Sequence, residues 1–96
     1  MRRTRYLVCY DIRDPRRLRR VARACESYGY RIQYSVFECG LDRMRFEQLK
    51  AAIDSEIKHN EDQVLFVSLG EPASHETVCI EALGIPYRLP TRVTVI

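Results

Sequence analysis

The sequence predicts an α+β fold in which two helices cover one face of an antiparallel β-sheet. Three observations indicate this class: the chain has 96 residues, 46% of them are hydrophobic, and apolar runs alternate with two amphipathic segments. This composition is typical of a packed globular protein, and a chain of this length can bury one core but not two. We expect a single domain over residues 1–96, with its core at about residues 5–70 and a C-terminal tail at residues 71–96.

The first strand and the first helix have the clearest boundaries. Residues 5–11 form an apolar run that predicts a buried strand ending at Asp11. A helix should begin where Asp14 can cap the free N–H groups and Pro15 suits the first turn, and Gly29 can end it in the left-handed conformation. The positions at helical spacing on its apolar face are Leu18, Val21, Ala22, Cys25 and Tyr28.

The middle of the chain predicts further strands and a second helix. Residues 30–41 are extended, as one bent strand or as two short strands joined at residues 34–35. Asp42 can cap a helix that continues to about Lys58, and residues 64–69 are a wholly apolar run typical of a buried strand. The apolar stripe of the second helix consists of Phe46, Leu49, Ile53 and Ile57.

Beyond Gly70, which should end that strand, the pattern is weaker. Residues 71–77 are polar, residues 78–83 are apolar, and residues 92–96 alternate as a strand does. Such a terminal strand leaves an exposed edge unless another strand pairs with it, often from a second subunit. The order of elements fits a ferredoxin-like βαββαβ sandwich with an extra C-terminal strand. Because that fold serves many functions, the function must be argued from the site.

Positive charge is concentrated towards the N-terminus. Residues 1–31 carry ten arginines and three acids, whereas the whole chain has a net charge of +3. Such a surface suits a polyphosphate, because arginine binds phosphate oxygens two at a time and each neutralised phosphate releases counterions. The alternative is a solvated outer face of the first helix. The candidate nucleic-acid-binding residues are Arg13, Arg16, Arg17, Arg19, Arg20 and Arg23.

Asp11 is the candidate metal ligand. It is the only acid at a strand end beside the basic segment, and a hard cation such as Mg2+ accepts carboxylate oxygen. One carboxylate per chain makes a weak site, but two subunits related by a two-fold axis would bring a pair of carboxylates together. Alternatively, Asp11 forms a salt bridge with Arg13 or Arg31.

Several kinds of site are excluded. The chain has no Gly-rich phosphate loop, HExxH motif or nucleophile elbow, and it lacks the base-stacking pattern of an RNA-recognition motif. Its cysteines, at positions 9, 25, 39 and 79, form no close pairs, so we expect reduced core residues. No run could span a membrane and no signal-peptide core follows the basic N-terminus, so we expect a cytoplasmic protein.

Three segments together resemble one known family. They are Tyr10-Asp11-Ile12 at the strand end, the arginine-rich first helix, and the string Tyr28-Gly29-Tyr30-Arg31-Ile32-Gln33-Tyr34-Ser35-Val36-Phe37-Glu38. The combination is similar to the small CRISPR-associated endoribonuclease family, the second of the numbered Cas proteins. The resemblance covers about residues 5–70.

The resemblance implies a homodimer in which the C-terminal strand packs onto the partner's sheet. It also implies a role in CRISPR adaptation, where the dimer lies between two dimers of the CRISPR integrase and supports duplex DNA. Some members of the family are Mg2+-dependent endonucleases of single-stranded RNA or double-stranded DNA, with the metal held by the aspartate that is Asp11 here. The other positions linked to activity in the family are Tyr10, Arg20, Arg31 and Phe37.

Two further functions stay open. The scarcity of acids near Asp11 favours a non-catalytic DNA-binding scaffold that bridges the integrase dimers. A free-standing ribonuclease of the toxin type would share the same fold.

Overall fold

The computed structural model describes residues 2–70 and 79–88. Its elements are, in order, β1 (Thr4–Asp11), α1 (Pro15–Glu26), β2 (Gly29–Gln33), β3 (Val36–Leu41), α2 (Arg43–Asp54), β4 (Gln63–Gly70) and β5 (Cys79–Gly84). The strands form one antiparallel sheet in the order β2-β3-β1-β4-β5. The predicted α+β class is confirmed, because the first four strands have the ferredoxin-like order and β5 adds to the edge at β4.

β1 is the central strand and carries the candidate site at its end. Alternate residues of a strand face opposite sides of a sheet. Tyr6 stacks on Phe46 of α2, with ring centroids 4.3 Å apart, so the even-numbered residues of β1 face the helices. We call the opposite side of the sheet the open face; its β1 residues are Arg5, Leu7, Cys9 and Asp11.

α1 begins as predicted. The Asp14 carboxylate accepts hydrogen bonds from the backbone N–H groups of Arg16 (2.9 Å) and Arg17 (3.0 Å), and Pro15 lies in the first turn. The apolar face predicted for this helix packs into the core, where Val21 and Cys25 are fully buried.

The end of α1 differs from the prediction. Its C-cap is Ser27 in the right-handed helical conformation, and Gly29 has no positive φ, so the expected left-handed cap at Gly29 is wrong. Gly29 is instead the first residue of β2, where a Cβ atom would collide with the carbonyl oxygen of Glu38 and the Sγ atom of Cys39. A glycine is required there by the close approach of two strands.

Residues 30–41 belong to two strands rather than one bent strand. β2 and β3 pair as a hairpin around the turn at residues 34–35. Asp42 caps α2 by accepting the backbone N–H of Arg45 at 2.8 Å, as predicted. The helix ends at Asp54 rather than near Lys58, but Ile57 still lies in the core, at 9% exposure.

The cysteines do not share one environment. All four are free thiols; Cys25 and Cys39 are buried, as predicted, whereas Cys9 is half-buried on the open face. Burial raises the pKa of the Cys25 thiol to about 12 and that of Cys39 to about 11. Cys79 is exposed, so the expectation of a core residue is wrong at this position.

The C-terminal part of the chain is described in part. The apolar run predicted at residues 78–83 corresponds to β5, and the run at residues 64–69 corresponds to β4. The predicted strand at residues 92–96 and most of the polar stretch after Gly70 lie outside the described residues. In residues 2–70 and 79–88, neither helix has the length or hydrophobicity needed to cross a membrane.

Candidate nucleic-acid interface

Asp11 is the last residue of β1 and its side chain is exposed. It pairs in register with Gln63 of β4, and strand alternation places it on the open face. Within the described part of the chain, no cationic side chain forms an ion pair with its carboxylate, so the alternative salt bridge with Arg13 or Arg31 is not formed. The carboxylate is therefore accessible to a ligand.

Tyr10, Arg31 and Phe37 form a cluster on the helix side of the sheet. The rings of Tyr10 and Phe37 stack with centroids 6.3 Å apart, and the guanidinium carbon of Arg31 lies 5.2 Å from the centroid of Phe37. Tyr10 is 6% exposed, and its burial raises the pKa of its hydroxyl. Tyr10 directly precedes Asp11, so this cluster packs on the opposite side of the sheet from the Asp11 carboxylate, while Phe37 lies opposite Val8, three residues before Asp11.

Arg20 lies apart from that cluster. It is on the exposed side of α1, where its Nε atom is 3.9 Å from the carboxylate of Glu56. With Arg23, Ser27 and Ser55 it lines an open groove between the two helices. The structure thus brings together Tyr10, Arg31 and Phe37 of the predicted active residues, with Asp11 beside them, and leaves Arg20 with the basic surface.

Five of the six predicted nucleic-acid-binding arginines have exposed side chains. We call this set the arginine row, and only Arg20 of its members has an ion pair among the described residues. A helix N-terminus adds a partial positive charge to the beginning of α1. The members of the arginine row are Arg13, Arg16, Arg19, Arg20 and Arg23.

Arg17 does not belong to this surface. Its Nε atom lies 2.7 Å from an oxygen of Asp62, and its Nη2 atom is 3.0 Å from Glu61. The side chain is 21% exposed, because it lies over the beginning of β4. The grouping of Arg17 with the outward arginines is therefore corrected: its guanidinium is bound to two acids of its own chain.

Among the described residues, Asp11 is the one candidate metal ligand that the sequence predicts. In residues 2–70 and 79–88, no three His, Cys, Asp or Glu side chains lie together in an arrangement that could hold a metal. Mg2+ in proteins commonly takes one or two carboxylates and completes its shell with water and phosphate oxygens. An exposed carboxylate fits that chemistry, and a second copy of the chain would supply another.

The open face that carries Asp11 has an apolar centre that no described element covers, flanked by the Arg5–Glu38 ion pair and by Gln63. Its residues follow from the strand register: Leu7 lies opposite Val67, Cys9 lies between Val36 and Leu65, and Val67 lies opposite Ile80. Ile80 of the edge strand β5 and Leu69 of its neighbour β4 are 37% and 39% exposed. Exposed contiguous apolar surface on a small domain is typical of a protein interface.

Sequence reasoning missed Asp62. It ends the polar stretch of residues 59–62 before β4, yet the side chain is fully buried and bound to Arg17. The only signal in the sequence is an acid directly before a buried strand, and that position does not distinguish a buried acid from a solvated one.

The fold and these contacts define a class: a small ferredoxin-like domain with a basic helix beside an accessible strand-end carboxylate. A family model described as CRISPR associated protein Cas2 matches residues 4–77. The CRISPR-associated endoribonuclease Cas2 of Geobacter sulfurreducens is 42% identical over 79 residues, which cover 82% of each chain. The chain belongs to the Cas2 family, as the resemblance predicted.

Two further comparisons agree with this assignment. The CRISPR-associated endonuclease Cas2 of Halalkalibacterium halodurans is 39% identical over 69 residues, covering 67% of this chain and 72% of that protein. The crystal structure of Streptococcus pyogenes Cas2 has a TM-score of 0.65 at 38% identity, and the alignment covers 69% of this chain and 86% of that one.

Proposed function

We propose that this chain acts in CRISPR adaptation as a nucleic-acid-binding homodimer with Mg2+-dependent endonuclease activity on single-stranded RNA or double-stranded DNA. The observation that carries the proposal is the exposed Asp11 carboxylate, without an ion-pair partner among the described residues and two residues before Arg13, where the arginine row begins. Relatives at about 40% identity are named endoribonucleases or endonucleases, which supports the same reaction class.

The homodimer is supported by the open face. Its apolar residues would leave water if two copies met face to face, and apolar burial is the main driving force of such association. Asp11 lies at the end of that face, so a two-fold axis near this end would bring two Asp11 carboxylates together. The pair would supply the donor set that one chain lacks.

Each side chain then has a distinct part in the reaction. Asp11 from each copy would hold Mg2+, which would supply positive charge that stabilises the transition state of phosphodiester hydrolysis. The arginine row binds phosphate oxygens and orients the backbone of the nucleic acid. Tyr10, Arg31 and Phe37 keep the strand end in place beneath Asp11.

Cleavage by Asp11→Asn tests the enzyme directly. The amide is isosteric but neutral, so it binds Mg2+ poorly, and we expect cleavage to fall by about 100-fold or more. Duplex binding, measured by filter binding without metal, should change little because the arginines are intact. Glu47→Gln, an exposed carboxylate in the first half of α2, is the matched control and should cleave as the wild type does. Equal cleavage by wild type and Asp11→Asn would contradict the proposal.

A non-catalytic scaffold that bridges CRISPR integrase dimers is the second candidate function. It is favoured by the single carboxylate of the candidate site and by the exposure of the arginine row. Under this function, Asp11→Asn supports spacer acquisition in cells as well as wild type does, whereas Arg16→Glu combined with Arg20→Glu abolishes it. Loss of acquisition by Asp11→Asn, with complex assembly normal, contradicts the scaffold. Membership of the Cas2 family favours both of these functions over a free-standing toxin-type ribonuclease.

A further inference from the structure

Asp62 is a charged group that is 0% exposed and yet fully hydrogen-bonded. Its Oδ1 atom accepts the backbone N–H of Arg13 at 3.0 Å and Nη2 of Arg17 at 3.2 Å. Its Oδ2 atom accepts Nε of Arg17 at 2.7 Å and the backbone N–H of Lys58 at 2.8 Å. Four donors from three segments therefore converge on one buried carboxylate.

The segments that Asp62 joins surround Asp11. Arg13 is two residues beyond Asp11, in the connection from β1 to α1. The residue after Asp62 is Gln63, which pairs with Asp11 in the sheet. The carbonyl oxygen of Asp62 also accepts the backbone N–H of Ile85 at 2.8 Å, just beyond β5. The carboxylate and carbonyl of this one residue thus tie the Asp11 connection to β4 and to the end of β5.

Arg17 is the side-chain partner of Asp62, and the shape of its guanidinium fixes the geometry of the pair. Its guanidinium binds both oxygens of Asp62 and also one oxygen of Glu61, through the rigid planar fork that lysine lacks. A buried ion pair adds little net stability, because desolvation opposes the attraction, and specifying one geometry is its better-attested use. The Arg17–Asp62 pair is bidentate and lies at the Asp11 end of the sheet, so it is suited to hold one geometry there.

We propose that Asp62 and Arg17 are positioning residues for Asp11, which hold the connection after β1 so that the Asp11 carboxylate keeps one orientation at the end of the open face. The inference rests on the proposed endonuclease function and deepens it, because it assigns both residues a role that acts through Asp11 and not through substrate binding. Both act through the backbone of residues 12–14 and through the pairing of Asp11 with Gln63.

Two variants of the full-length protein test the role. Asp62→Asn keeps the shape but presents an N–H group to a donor, and Arg17→Lys keeps the charge but loses the fork. In each, we expect the backbone amide of Arg13 to exchange with deuterium about 10-fold faster or more, because its acceptor is displaced. We also expect kcat for cleavage to fall by about 10- to 100-fold, as for small displacements of a catalytic group, with KM within about two-fold of wild type.

The controls repeat the same chemical changes at exposed ion pairs of α2. Glu47→Gln and Arg45→Lys alter groups paired with Lys50 and Asp42 in the first half of α2, away from the Asp11 end of the sheet, and should show wild-type exchange at Arg13 and wild-type kcat. Circular dichroism and the melting temperature establish that each variant is folded. If Asp62→Asn does not fold, Arg17→Lys decides the question alone.

The outcomes separate this inference from the proposed function. Folded variants with wild-type kcat, or with wild-type exchange at Arg13, overturn the positioning role while an inactive Asp11→Asn still supports the endonuclease. A rise in KM at unchanged kcat also overturns it, because that result would place Arg17 or Asp62 in substrate binding. Equal cleavage by wild type and Asp11→Asn overturns the endonuclease and, with it, the positioning role.

Discussion

Two aspartates at the same end of the sheet lie in opposite environments. Asp11 is exposed and has no ion pair among the described residues, whereas Asp62 is buried and accepts four hydrogen bonds. A buried carboxylate whose oxygens are all occupied has no free position for a ligand, while an exposed one can bind a cation or a donor. Their environments, and not the residue type, therefore separate the structural role of Asp62 from the ligand role that we propose for Asp11.

The stability of the protein in acid tests the environment of Asp62. Burial acts to raise the pKa of Asp62, but the hydrogen bonds from Arg17 and from the N–H groups of Lys58 and Arg13 outweigh it and lower the pKa to about 2. Since the folded-state pKa lies below the unfolded one, this carboxylate stabilises the fold above about pH 4, and the stabilisation is lost as the pH falls towards 2. We expect this group to account for about 1 to 2 kcal/mol of the free energy of unfolding over that window.

Urea unfolding between pH 5 and pH 2 measures this contribution. Asp62→Asn should lose less free energy of unfolding over that range than wild type does, whereas Asp54→Asn should follow the wild-type curve. The pKa values of Asp14 and Glu61 are also lowered, by hydrogen bonds from α1 and from Lys58 respectively, but both groups are present in all three proteins. Parallel curves for wild type and Asp62→Asn would contradict the assignment.

For single residues, the sequence predicts that Asp11 ends a strand, but it does not predict that Asp62 is buried. Asp11 could be predicted because a strand end beside a basic helix is a local pattern. The partner of Asp62 lies 45 residues away in the chain, so no local pattern reveals it. For the same reason, sequence periodicity could not show that Arg17 points inward while its neighbour Arg16 is exposed.

Among the elements, α1 makes three different contacts. Its apolar face packs on the sheet, and Arg17 in its first turn binds Asp62. Its exposed surface carries every member of the arginine row except Arg13, which precedes the helix. A helix that presents several unpaired arginines to water fits a backbone of phosphates, since such contacts carry no sequence information and depend on charge.

The salt dependence of duplex binding tests the arginine row. Each arginine that neutralises a phosphate contributes about one unit to the slope of log K against log salt, so Arg16→Ala combined with Arg19→Ala should lower that slope by about two. The slope is measured by fluorescence anisotropy between low and physiological salt. Arg45→Ala, on α2 and paired with Asp42, should leave it unchanged. A double variant with the wild-type slope would place the duplex elsewhere on the protein.

Element boundaries were predicted best where a capping residue marks them. Asp14 and Asp42 begin their helices where the sequence indicates, because the cap bonds within its own turn. The helix ends were less accurate, since the turn after α2 still buries Ile57 and Gly29 is required by its approach to Glu38 in β3. Both are tertiary contacts. In the sequence, a residue that such a contact buries after a helix looks the same as a residue of a helix that continues.

For the whole molecule, the main question is what covers the open face of the sheet. Helices cover one side of the sheet, and on the other side a set of apolar side chains surrounds β1 with no described element over them. A dimer through this face would bury those side chains and would place both Asp11 carboxylates at the same interface.

A charge on the open face tests the dimer. Leu65 lies beside Cys9 near the centre of this face, and an aspartate there would lose its hydration at the interface. We expect Leu65→Asp to sediment as a monomer and to lose cleavage while its circular dichroism stays that of the wild type. Met44→Asp makes the same kind of change at a residue of α2 that is 58% exposed, and it should remain dimeric. A dimeric Leu65→Asp would place the interface on another surface.

The distance between the two Asp11 carboxylates in a crystal structure of the dimer with Mn2+ or Mg2+ is the most direct test of the shared site. A cation that binds one oxygen from each copy at about 2.1 Å requires those oxygens to lie within about 5 Å of each other. We predict such a separation, with the ion between the carboxylates. Carboxylates more than about 10 Å apart, beyond the span of one cation and its waters, would contradict the shared site.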